Sequence, residues 1–71
     1  MKASTAILKR LQVSEMQDGK ALVSLDGQVI GSIERESRCF FGAFIDGRAA
    51  GGGRTVENAK RSIAVNYCVR Q

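Results

Sequence analysis

Three Asp-Gly pairs punctuate the first two-thirds of this 71-residue chain: Asp18-Gly19, Asp26-Gly27 and Asp46-Gly47. Both residue types tolerate positive φ, which the tightest hairpin turns require, so each pair marks a chain reversal. The chain has no proline, and reversals therefore fall to glycine, aspartate and asparagine. The intervals between the pairs are short, and the sequence predicts an antiparallel meander.

Between the first two pairs, residues 20–25 alternate, with Ala21, Val23 and Leu25 on one face. Residues 28–35 place Val29, Gly31 and Ile33 on one side. Residues 39–46 form the most apolar segment, with Phe40, Gly42 and Phe44 on one face and Cys39, Phe41, Ala43 and Ile45 on the other. A tight turn at Glu36-Ser37 would set Ile33 opposite Phe40, Gly31 opposite Gly42 and Val29 opposite Phe44. That register leaves Phe41 and Ile45 on the far face, with Phe41 as an exposed aromatic contact. Residues 5–16 fit two patterns. As a helix they carry Ile7, Leu8 and Leu11 in a short stripe. As a strand they set Val13 opposite Val23 and Leu11 opposite Leu25 across the Asp18-Gly19 turn, which favours the strand.

At the other end of the chain, Val56, Ala59, Ile63 and Tyr67 recur at helical spacing, flanked by Ala64 and Cys68. Thr55 is placed as the N-cap, and Glu57 suits the positive end of the helix dipole. Gly51-Gly52-Gly53 reads as a loop leading into that cap. The expected fold is one α+β domain over residues 1–71, a three- or four-stranded antiparallel meander with a C-terminal helix packed on one face. Its element order is ββββα, or αβββα if the N-terminal segment is helical.

A chain this short buries only roughly 60% of its unfolded surface, so a homodimer would add useful stability. No apolar run approaches the roughly 20 residues needed to span a bilayer, and Lys9-Arg10 interrupts the only N-terminal apolar stretch. A cytoplasmic location without membrane association is expected. Cys39 and Cys68 stand 29 positions apart with no neighbouring cysteine. This matches neither metal-site spacing nor a disulfide framework, and both are expected to be reduced core residues.

The net charge is +4, and it is localised. Residues 1–47 carry six basic and six acidic groups; from Arg48 onward, Arg48, Arg54, Lys60, Arg61 and Arg70 face only Glu57. A basic end favours polyanionic partners. There is no histidine, which removes the commonest general base and metal ligand. The three aspartates read as turn residues, and neither cysteine has an activating partner. No catalytic residues, metal or cofactor are expected.

Glycines ahead of a helix N-terminus offer free N–H groups to an anion, and Arg54 adds a bidentate phosphate contact. The sequence thus predicts a non-catalytic nucleic-acid-binding domain, for RNA or DNA, that uses Arg48, Gly52, Gly53, Arg54, Thr55, Lys60 and Arg61. The alternative is a small protein-binding regulator or inhibitor that engages a host protein or itself through its sheet face or an edge strand.

Residues 41–67 also carry a resemblance. A strand, Asp46-Gly47, a glycine loop and then Thr55-Val56-Glu57-Asn58-Ala59-Lys60 with Ile63-Ala64 resembles the C-terminal half of a double-stranded-RNA-binding domain, whose capped helix reads S/T-K-K-x-A-K-x-x-A-A. Thr55, Ala59 and Lys60 match, while Val56 and Glu57 stand where that family carries its first two lysines. The resemblance implies RNA contact at the helix start. The same stretch is similar to HicB-type antitoxins and to small βββα proteins of phages and mobile elements.

Overall fold

The fold is seen in a computed structural model that describes residues 3–70, with side-chain surroundings for residues 6–68. Its elements are α1 (Ala3–Arg10), β1 (Leu11–Val13), β2 (Lys20–Leu25), β3 (Gln28–Ser37), β4 (Phe40–Ile45), β5 (Arg48–Gly53) and α2 (Val56–Arg70). The strands form one antiparallel sheet in the order β1-β2-β3-β4-β5. This is the expected meander with a C-terminal helix.

All three Asp-Gly pairs are two-residue turns, closing Gln17 onto Lys20, Leu25 onto Gln28 and Ile45 onto Arg48. Each aspartate has φ 53°, and Gly19, Gly27 and Gly47 have φ 77°, 85° and 78°. Two successive positive φ values give a turn whose twist matches that of the flanking strands.

The N-terminal segment uses both of its patterns in succession. It is helical to Arg10, where Lys9 and Arg10 complement the negative helix end, and then becomes β1. Leu11 pairs with Leu25 and Val13 with Val23, the register expected from sequence. Beyond β1, the Ser14 N–H donates to the Leu22 carbonyl at 2.9 Å, and the Leu22 N–H donates to Ser14 Oγ at 2.8 Å.

The β3–β4 register differs from expectation. Strand β3 runs on to Ser37, the reversal falls at Arg38-Cys39, and Ile33 pairs with Ala43 instead of Phe40. A three-residue displacement is odd, and an odd displacement inverts every side chain of β4. Phe41, Ala43 and Ile45 therefore face the core, and Phe40 and Phe44 face away from it. The inversion buries Ile33 and Ile45 together, two of the largest fully buried side chains. A bulge corrects the other end of β3. Val23 pairs with Gly31 and Ser24 with Val29, which leaves Ile30 unpaired; Ile30 and Leu25 pack on the core while Val29 turns outward.

One face of the sheet carries the core, centred on Val23, Ile33, Ile45 and Ile63. Helix α2 lies against β5 and β4, and α1 packs beside α2. Ala59, Ile63 and Ala64 are buried, with Val56, Tyr67 and Cys68 packed around them, so the apolar stripe is the one predicted. Cys39 is exposed in the β3–β4 turn, contrary to its expected place in the core, and Cys68 is half-buried; both are free thiols.

Candidate functional site

The glycine run expected as a loop is strand β5. Gly53 pairs with Phe41 and Gly52 with Gly42, and an irregularity sets both Ala50 and Gly51 opposite Ala43. Close approach accounts for the composition. A Cβ at Gly53 would collide with the Asn58 side chain, and one at Gly51, whose φ is 96°, would lie 3.2 Å from Ser62 Oγ. At Gly52 it would reach the Phe40 ring at 2.7 Å. The strand is thus held between α2 and Phe40, and Ser62 Oγ donates to the Gly52 carbonyl at 3.1 Å. The Asn66 amide donates to the Ala50 carbonyl at 3.0 Å and to the Ser62 carbonyl at 2.9 Å. These bonds supply donors to carbonyls of a bulged strand at the sheet edge.

The residues expected to contact phosphate separate accordingly. Thr55 caps α2, its Oγ1 accepting the Asn58 N–H at 3.1 Å. Arg54 is exposed in the bend before it. Lys60 is half-buried, and the exposed Arg61 lies 3.9 Å from Glu57 one helical turn away. Arg48 stands at the opposite end of β5, about 17 Å along the strand from Gly53 at ordinary strand rise. Arg70 lies outside the described side chains. Gly52, Gly53, Arg54 and Thr55 therefore lie directly before α2 and Lys60 and Arg61 in its second turn, while Arg48 stands at the far end of β5.

The aromatic expectation moves by one residue. Phe41 is half-buried against the core, whereas Phe40 is 42% exposed. The odd register displacement is the cause, and residues 39–46 held no local signal for it, because both faces of that segment are apolar.

Among the described residues, nothing covers the face of the sheet opposite the helices. It presents Leu22 and Val29, 44% and 53% exposed, with Phe40 at its edge. A groove of about 380 Å³ lies on it, lined by the side chains of Leu22, Val29, Ser32 and Phe44 together with Lys20, Glu34 and Asp46. Sequence reasoning missed Leu22 and Val29. Leu22 stood alone on the polar side of its strand, and the bulge at Ile30 that turns Val29 outward is marked in the sequence only by the single Gly31 beside it.

A polar cluster lies near the end of α1. Arg10 Nε donates to Asp26 Oδ1 at 3.2 Å, and a second guanidinium nitrogen donates to Oδ2. These bonds, with the attraction of the guanidinium, hold the Asp26 carboxyl below its ordinary value and raise Arg10. The pair ties α1 to the β2–β3 turn.

No family model, curated protein or solved structure matches the chain. No helix among the described residues is long and apolar enough to cross a membrane.

Proposed function

We propose that this chain is a non-catalytic protein-interaction module that docks through the uncovered sheet face. The carrying observation is the placement of Leu22, Val29 and Phe40 in solvent on the side of the sheet that neither helix covers. Isolated exposed apolar residues are normal on protein surfaces; Leu22 and Val29 instead line one groove together with Phe44, and such a group on one sheet face is the pattern of an interaction site. Glu34 and Glu36 on the same strand make this face unfavourable for a polyanion.

The test uses the full chain as bait, alongside a Val29→Glu variant of equal thermal stability. Proteins retained by the wild type and lost with Val29→Glu support the reading. Equal retention by both refutes it.

The charge distribution favours a second reading, nucleic-acid binding through Arg54, Lys60 and Arg61 at the start of α2, in line with the resemblance to double-stranded-RNA-binding domains. Phosphate contacts release counterions, so such binding would weaken steeply with salt. Titration of duplex RNA, duplex DNA and single strands at low salt tests it. Binding that drops with Arg54→Ala at unchanged stability supports it, and no binding at low salt ends it.

A further inference from the structure

We infer that the groove on the uncovered sheet face takes an extended segment of another protein with the pattern basic-x-apolar-x-basic; this rests on the docking reading above and supplies the chemistry of the partner. Charge is the first argument. Lys20 and Glu34 stand opposite each other in register, and both line the groove with Asp46. Glu36 reaches the same face across β4: a Cβ at Gly42 would run into its carboxylate and stand 3.2 Å from the Phe44 ring. The face therefore carries three carboxylates against one ammonium, on a chain whose net charge is +4. Among the described residues, none of these carboxylates belongs to an ion pair, not even Glu34 with Lys20. Unpaired acids beside apolar side chains select a cationic partner. A second copy would set carboxylates against carboxylates, and a nucleic acid would meet them with phosphate.

Spacing is the second argument. The Glu36 carboxylate lies over Gly42 and Asp46 directly follows β4, so the two flank Phe44 by two positions on either side. At ordinary strand rise they stand about 13 Å apart. In an extended chain, residues i, i+2 and i+4 point to one side and span that same distance. Basic side chains at i and i+4 thus reach Glu36 and Asp46, while the apolar one at i+2 enters the groove among Leu22, Val29 and Phe44. On a helix, residues i and i+4 are only about 6 Å apart and do not bridge the two carboxylates. The cation that meets Glu36 also lies beside the Phe44 ring, which adds a cation–π contribution.

Size sets the strength. A five-residue segment on one groove makes a small contact, so the complex is weak, and its charges make it salt-dependent. Each exposed charge pair contributes up to roughly fivefold in affinity.

The test is an NMR titration of the full chain with a capped Thr-Lys-Thr-Leu-Thr-Lys-Thr peptide from about 10 μM to about 5 mM, the range in which so small a contact saturates. Shifts are expected at Leu22, Val29 and Phe44, and they shrink as salt is raised. Peptides with glutamate for both lysines, or serine for the leucine, are expected to leave the face unshifted. Glu36→Gln and Asp46→Asn, each checked for native circular dichroism, are each expected to weaken binding by up to roughly fivefold; the second keeps the Asn-Gly chemistry that suits its turn. No face shifts with the lysine peptide, an equal response to the glutamate peptide, or unchanged affinity in both variants overturns the inference. So do shifts of the face when the chain is concentrated alone, which would assign it to a second copy. If Val29-dependent capture of a protein persists when Glu36→Gln and Asp46→Asn are combined, the docking reading survives and this inference falls. Capture that Val29→Glu leaves unchanged ends both.

Discussion

The side-chain amide of Asn66 donates at 3.0 Å to the carbonyl of Ala50, joining the middle of α2 to the irregular part of β5. Replacing Asn66 by alanine leaves a half-buried carbonyl without this donor, a cost of about 1–3 kcal/mol. For a domain of this size that lowers the melting temperature by several degrees. Thermal and urea unfolding of Asn66→Ala check it; an unchanged midpoint would show that water replaces the amide.

Gly53→Ala is expected to destabilise by about 1–3 kcal/mol, because the new methyl group overlaps the Asn58 side chain and α2 must shift. The same denaturation experiment reads it out. If the glycine served a bound phosphate and had no packing role, stability would hold and only anion affinity would fall.

These two sites show how much of the molecule was legible in the sequence. The turns were, since Asp-Gly states its own backbone geometry at Asp18, Asp26 and Asp46. So was α2, because its apolar stripe and the Thr55 cap are local properties. Strand β5 was not: Arg48-Ala49-Ala50-Gly51-Gly52-Gly53 has no strand propensity, and its conformation comes from tertiary contacts with α2 and Phe40. The faces of β4 were equally illegible, since the partner strand decides between Phe40 and Phe41. The candidate docking face followed from that register, and so it emerged only with the fold.

The ion pair between Arg10 and Asp26 predicts an acid-dependent loss of stability. Because the folded-state value of Asp26 lies below its unfolded one, the stabilisation is present above about pH 4 and disappears as pH falls through the lowered folded value. The pair is exposed and screened by salt, so the effect is small. Asp26→Asn keeps good turn chemistry, as Asn-Gly suits the same turn. Melting curves are expected to show the variant less stable than the wild type at pH 7 and equal to it near pH 2; a gap persisting in acid would assign the difference to the turn itself.

The central claim, that the uncovered face is where this protein meets its partner, is tested most directly by comparing capture of partner proteins on wild-type, Leu22→Glu, Val29→Glu and Val65→Glu baits of equal thermal stability. The account predicts that a partner held by the wild type is also held by Val65→Glu, on exposed α2 surface, and is lost with both sheet-face variants. A partner held equally by the sheet-face variants, or lost only with Arg54→Ala, would contradict it.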